Sequence, residues 1–149
     1  MIVYSGSKTE IALKRGVKQG DPLSPFIFNA IMDPLLVQLE QTKGFEIDES
    51  QSISALAFAD DLILLATTKE TAINLLHFTE TYLNNLGMSI AAAKCTSFEI
   101  KMTDDSRYIA NTDICLKNSD KISNWAADSS ICYLGSHISP WSFVQSYSF

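Results

Sequence analysis

Basic charge is in short supply in this chain. Lys and Arg number 11 against 17 Asp and Glu, leaving a formal net charge of −6 and a pI near 4.7. A free-standing nucleic-acid binder normally presents a basic surface, because its affinity rests on phosphate neutralisation. The deficit argues against that class unless a local basic patch or a basic partner segment supplies the cations. Long apolar runs are missing too: none approaches the roughly 20 residues of a membrane span. The N-terminus lacks a basic stretch followed by an apolar one, so no secretory signal is expected. The expectation is an intracellular protein, nuclear or cytoplasmic, with no membrane association. Cysteine is sparse and scattered, at Cys95, Cys115 and Cys132. With no C-x-x-C pair and no histidine at ligand spacing, these read as reduced structural thiols. His77 and His137 stand alone and read as structural or surface residues. No internal repeat and no dinucleotide-binding fingerprint is present.

What the chain does have is enough apolar material for a core. Its 149 residues suit one domain, and hydrophobic residues make up 46%, with a slightly high mean hydropathy of +0.08. Met1 to Tyr4 is β-prone, Ser5-Gly6-Ser7-Lys8 is turn chemistry, and Glu10 to Lys14 alternates, so a hairpin is expected to return toward Gly16. A glycine- and proline-punctuated loop follows, Gly16 to Pro25. Ser24 is expected as N-cap and Pro25 as first helical residue. The helix carries Phe26, Ile27, Ala30 and Ile31 at one-face spacing. A kink or restart is expected at Asp33-Pro34, and a stop at Gly44 after about Lys43. A glycine-rich loop feeding a helix N-terminus is also a physical anion site, though as a signal it is weak alone.

Downstream, Phe45 to Asp48 reads as a short strand and Glu49 to Ser52 as a polar turn. Thr67 and Glu70 have capping-box spacing. The helix after them carries Ala72, Leu75, Leu76, Thr79, Tyr82, Leu83 and Leu86 on one face, with Gly87 as C-cap. Met88–Ile90, Thr96–Ile100 and Ile131–Leu134 read as short strands, while residues 102–130 have no strong periodicity. The order of elements is that of an α+β fold: an antiparallel sheet with helices gathered on one face.

The stretch that organises the rest is Ala57-Phe58-Ala59-Asp60-Asp61-Leu62-Ile63-Leu64-Leu65. Two apolar runs, at about Ile53–Ala59 and Leu62–Ala66, flank adjacent carboxylates and read as a hairpin with acid at its tip. Neighbouring anions repel unless a cation, donors or free water offset the repulsion. Locally, two readings stand side by side: a solvated turn, or ligands for a hard divalent ion such as Mg²⁺.

Four stretches resemble reverse transcriptases, in family order. The fifteen residues Arg15-Gly16-Val17-Lys18-Gln19-Gly20-Asp21-Pro22-Leu23-Ser24-Pro25-Phe26-Ile27-Phe28-Asn29 resemble motif B, most closely that of R2-like non-LTR retrotransposons. Asp21 favours that lineage over intron-encoded relatives, which usually carry glycine there. Phe58-Ala59-Asp60-Asp61 is similar to motif C, the catalytic turn. Gly87-Met88-Ser89-Ile90 with Lys94 resembles motif D, and Tyr133-Leu134-Gly135 resembles the primer grip of motif E. The resemblance runs from about residue 1 to 139, and a divergent tail occupies 140–149.

This resemblance implies a polymerase palm-like antiparallel sheet, incomplete here, and RNA-directed DNA synthesis by two-Mg²⁺ nucleotidyl transfer in the full-length protein. RNA template, DNA primer and dNTPs would be the partners. Asp60 would be the principal metal ligand and Asp61 an auxiliary carboxylate. Arg15, Gln19, Gly20, Pro22 and Ser24 would meet the incoming nucleotide and template. Lys94 would sit near the triphosphate as a proton donor, and Tyr133, Leu134 and Gly135 would hold the primer. The departures set the expectation for this chain. The family's third metal-binding aspartate lies in motif A, upstream of motif B; this sequence begins roughly where motif A should already have ended, so that aspartate is expected to be absent. Ala91 stands where motif D usually has asparagine. The stretch alone is therefore expected to extend no primer. The alternative is a reverse-transcriptase-derived binding module, or a degenerate remnant.

Overall fold

A computed structural model describes residues 2–4, 7–9, 20–126, 128–139 and 143–144. In chain order its elements are β1 (Ile2–Tyr4), β2 (Ser7–Thr9), α1 (Ser24–Glu40), β3 (Phe45–Glu46), β4 (Ser52–Ile53), β5 (Ala55–Phe58), β6 (Asp61–Leu64) and α2 (Lys69–Asn85). After a 3₁₀ turn at Ala92–Lys94 come β7 (Thr96–Ser97), β8 (Glu99–Met102), β9 (Arg107–Ala110), β10 (Ser123–Asn124), β11 (Ile131–Tyr133), β12 (Ser136–Ile138) and β13 (Phe143–Val144). The chain is mixed helix and strand, as expected. The strands do not join into one sheet, however. Among the described residues they form separate antiparallel pairs, one three-stranded group β11-β12-β13, and a short parallel pairing of β7 with β10. β2 begins at Ser7 and pairs with β1, so the first hairpin turns earlier than expected. Its anticipated return strand, Glu10 to Lys14, lies outside the described residues.

α1 differs from expectation in three ways. First, its N-cap is Leu23, with no side-chain cap, rather than Ser24, which is already helical. Asp21 does the capping work from two residues before Leu23: its Oδ1 accepts the Leu23 N–H (2.9 Å), and its carbonyl accepts that of Ser24 (3.1 Å). Pro25 has no N–H, so none of residues 23 to 25 has a backbone donor to offer an anion. Second, Pro34 does not break the helix, which runs unbroken to Glu40. Buried side chains lie on both sides of the proline, Met32 before it and Leu35 and Leu39 after it. Burying each is worth about 1.5–3 kcal/mol, comparable to the roughly 3 kcal/mol cost of an interior proline. Third, Phe26, Ile27 and Ile31 face outward; Phe26 is 73% exposed.

α2 follows its sequence reading more closely. It closes with a Schellman motif at Gly87 (φ 73°), whose N–H donates to Asn84 O while Met88 N–H donates to Leu83 O, both at 2.9 Å. Its N-cap is Thr68, whose Oγ1 accepts the Thr71 N–H at 3.1 Å, one residue later than the expected capping box. Residues 88–90 form no strand.

The core has two parts, and α2 lies between them. Leu75 joins Met32, Leu35 and Leu39 of α1 in one cluster. Leu76 joins Ile114, Leu116 and Ile122 in the other. The second cluster comes from residues 102–130, where periodicity was weak. There Cys115 and Lys121 make an isolated bridge, and the buried Trp125 meets Phe98 edge-on at 4.8 Å. Buried Glu80 of α2 ties this region down by accepting the Lys117 N–H at 2.8 Å.

Candidate functional site

The acid hairpin is β5 and β6 joined by a two-residue loop, Ala59-Asp60. Its strands are shorter than expected, because Ile53 pairs instead with Phe45 of β3. In the observed register Phe58 faces Asp61, Ala57 faces Leu62, Leu56 faces Ile63, and Ala55 faces Leu64. Side chains alternate across a strand. Ala55 and Leu64 pack against the cluster built by α1 and α2, so Ala57 and Leu62 share that side. Leu56, Phe58, Asp61 and Ile63 lie on the opposite one. Phe58, beside Asp61, is 63% exposed.

The loop is strained. Ala59 has φ 52° while Asp60 does not have positive φ, the pattern of a type II′ turn, which favours glycine at its first position. Holding an L-residue there costs roughly 1–2 kcal/mol. Such strain collects where a site must hold a particular geometry.

Both carboxylates are exposed, and among the described residues neither has a hydrogen-bond or ion-pair partner. Other acids of this chain are engaged. Asp48 Oδ1 accepts from Ser50 N, Ser50 Oγ and Gln51 N at 2.7–2.8 Å, and the Ser50 hydrogen bonds hold its carboxyl below the usual range. Asp113 meets the Lys121 ammonium at 2.9 Å; that hydrogen bond lowers the Asp113 pKa and raises that of Lys121. Two adjacent carboxylates left open to solvent suit Mg²⁺, which takes one or two carboxylates and completes its shell with water and phosphate oxygens. They make a partial donor set. Among the described residues no group of three or more His, Cys, Asp or Glu side chains is placed to hold a metal ion.

The remaining predicted residues fall as follows. Arg15 and Gln19 lie outside the described residues. Gly20 has φ 84°, and nothing lies within 4 Å of where a Cβ would be, so a ligand could approach its backbone. Pro22 is exposed in the turn before α1, and Ser24 opens that helix. Lys94 ends the 3₁₀ turn and is exposed; no ion pair joins it to Asp60 or Asp61. Its turn is anchored by Ala92 and Cys95, which pack on the same cluster as Leu64 of β6. Burial pushes the Cys95 thiol up, in keeping with an inert structural cysteine. Cys115 and Cys132 are instead exposed and unpaired. His77 Nε2 contacts Cys115 O at 3.1 Å, and His137 sits exposed on β12. Tyr133, Leu134 and Gly135 build the β11–β12 hairpin, whose loop residues Leu134 and Gly135 have φ 50° and 78°. Both values are positive, as a type I′ turn requires.

Residues that sequence reasoning passed over lie at the base of the acid hairpin. Gly44, expected only to stop α1, is buried. A Cβ there would meet Ser54 Cα at 2.5 Å and Leu65 O at 2.7 Å, and Ile53 O closer still. Gly44 O accepts from Thr67 N (3.3 Å) and Thr67 Oγ1 (3.2 Å). Thr67 Oγ1 in turn accepts the Glu46 N–H at 3.2 Å. Ser54 Oγ donates to Thr42 O. No local pattern announces these contacts, since each partner lies in a different element.

Residues 1–138 match the family described as reverse transcriptase (RNA-dependent DNA polymerase). Three similar proteins are retrovirus-related Pol polyproteins of R2 retrotransposable elements. The type-1 protein of Popillia japonica is 45% identical over 101 residues, covering 66% of this chain and 14% of that protein. The type-1 protein of Nasonia vitripennis is 41% identical over 105 residues, 64% of this chain and 10% of that protein. The type-2 R2DM protein of Drosophila melanogaster is 38% identical over 125 residues, 77% of this chain and 12% of that protein. The chain thus spans 10–14% of the length of these relatives. Among the described residues no helix is long and apolar enough to cross a membrane. The acid hairpin, the glycine-marked turn before α1 and the family match lead to one conclusion: this chain belongs to the reverse transcriptase family, in its R2-like, non-LTR branch.

Proposed function

We propose that this chain is the palm portion of an RNA-directed DNA polymerase and presents two of the carboxylates on which nucleotidyl transfer depends. The observation that carries the reading is the tip Phe58-Ala59-Asp60-Asp61, a strained turn whose acids have no partner among the described residues. Asp60, in the loop, is the principal Mg²⁺ ligand, and Asp61, on the strand face beside Phe58, is the auxiliary one. Bound Mg²⁺ supplies activation of the primer 3′-hydroxyl and charge stabilisation at the leaving pyrophosphate. Around it, Gln19 and Gly20 touch the incoming dNTP and the RNA template, with Arg15, Pro22 and Ser24 shaping that contact. Lys94 delivers a proton toward pyrophosphate, and the Tyr133–Gly135 hairpin bears on the DNA primer. The family match and the R2 relatives favour this reading over a non-catalytic binding module.

The partial donor set has a direct consequence. Two carboxylates with no third beside them among the described residues hold the metal weakly, so the purified chain with primer–template, dNTPs and Mg²⁺ is expected to extend no primer. Mn²⁺ added to the labelled chain should broaden the amide signals of residues 58–62 selectively, and Asp60→Ala should abolish the effect. In any longer protein carrying this stretch that does extend primer, Asp60→Ala should cost at least about 10²-fold in rate, the scale of removing one preorganised electrostatic group. Robust extension that survives Asp60→Ala would sink the proposal.

A further inference from the structure

The geometry of the acid pair depends on which residues of β5 and β6 face each other, and the hairpin itself does not settle that. A buried face normally sets strand register, yet here both faces are apolar: Ala55, Ala57, Leu62 and Leu64 on one, Leu56, Phe58 and Ile63 on the other. Turn chemistry works against the observed register, because Ala59 must take φ 52°. A loop of Asp60-Asp61, pairing Ala59 with Leu62, would keep the same residues on the same faces. It would also place aspartates, which tolerate positive φ better than alanine, at the turn. In that register both acids would lie in the loop, and Asp61 would lose its place beside Phe58.

The contacts at the hairpin base decide between the two. Leu65 N donates to Ser54 O at 2.9 Å, continuing the observed register below Ala55 and Leu64. Ser54, only 2% exposed, is fastened through its hydroxyl to Thr42 O just past α1. On the other leg, Thr67 is held at Gly44 O and at the Glu46 N–H. Both legs are thereby tied to the segment leaving α1, at positions that a slip of either strand would separate.

We propose that Ser54 and Thr67 are positioning residues for the acid pair: they clamp both legs of the hairpin to the exit of α1 and so hold Asp60 at the tip with Asp61 on the strand face. The register claim stands on its own; its consequence for metal rests on the reading of Asp60 and Asp61 as ligands. The test is NMR of the full 149-residue chain carrying Ser54→Ala with Thr67→Val. Cross-strand NOEs between Phe58 and Asp61 should weaken and NOEs between Ala59 and Leu62 appear, while signals of Phe98 and Trp125, which pack on each other rather than on β6, stay in place. Mn²⁺ affinity at the tip should fall about tenfold, the scale of losing an outer-shell contact, and restoring Thr67 as Ser in the Ser54→Ala background should recover both signals. Unchanged NOEs in the double variant would overturn the clamp. Changed NOEs with no Mn²⁺ binding even in the unmodified chain would leave the clamp standing and remove the metal reading. If the double variant does not fold, amide exchange of the unmodified chain decides. The Glu46, Leu65 and Thr67 amides should open together with those of β6, and independent opening of β6 would overturn the proposal.

Discussion

Two of this chain's hairpins close on two-residue loops that each hold a non-glycine residue near φ 50°, but they differ in the rest of the turn. In β11–β12 the loop is Leu134-Gly135, both residues have positive φ, and glycine sits where the turn wants it. In β5–β6 the loop is Ala59-Asp60, with alanine at the position that favours glycine. The first loop has glycine at one of its two positive-φ positions, while Leu134 (φ 50°) carries the same kind of strain as Ala59. The second takes its shape from contacts several residues below, at Gly44, Ser54 and Thr67. The acid turn is thus supported from its base, which leaves its tip residues free of the need to stabilise the turn themselves.

Substitutions can break that contrast at graded cost. The largest effect should come from Gly44→Ala, because the new Cβ meets backbone atoms of Ser54 and Leu65 rather than a side chain that could move. A loss of about 3 kcal/mol, the upper range for overpacking, is expected in urea unfolding; a loss under 1 kcal/mol would show that the base of the hairpin is pliant. Next comes Gly135→Ala, which meets nothing within 4 Å but must adopt φ 78°, and should cost about 1 kcal/mol from strain alone. Ala59→Gly, the reverse exchange, relieves strain at the acid tip but adds chain entropy to the unfolded state. Its net effect on stability should be within about 0.5 kcal/mol of zero, while Ala59→Val should destabilise by about 1 kcal/mol or more. Equal responses at positions 59 and 135 would erase the distinction between the two turns.

The smallest effect concerns the engaged acids. Asp48 and Asp113 have depressed folded-state pKa values, from the Ser50 and Lys121 hydrogen bonds respectively. Their contribution is present above the unfolded value near 3.8 and is lost as pH falls through the lower folded one. Asp48→Asn and Asp113→Asn should each flatten the acid limb of a stability-versus-pH curve slightly. An unchanged limb in both variants would mean that these exposed contacts contribute nothing measurable.

The acid hairpin and α2 could be read from sequence because their signals are local. The carboxylates sit between apolar runs, and Gly87 ends α2 where its stripe ends. Apart from that of Ser24, whose rival lies three residues away, the misreadings trace to distant partners. Thr67 was a plausible cap until Gly44 and Glu46 claimed its hydroxyl. Ser24 lost the cap to Asp21. Pro34 was tolerated because the side chains around it are buried against other elements. The sheet, expected as one surface, is divided into short pairings, a tertiary outcome that strand periodicity does not encode. The family resemblance was legible for a different reason, since fifteen consecutive residues of motif B spell it out.

Leu64 packs against both core clusters, the one under α1 and the one built around Ile114 and Leu116. A residue shared in this way couples the fates of the two halves of the molecule. The segment after residue 111 cannot peel away without uncovering the strand that carries Asp61, and α1 cannot detach without doing the same. Unfolding should therefore be a single transition with no surviving sub-structure around the acids. A cut between Met102 and Arg107, far from the hairpin in sequence, leaves the acid pair intact only while both pieces stay docked.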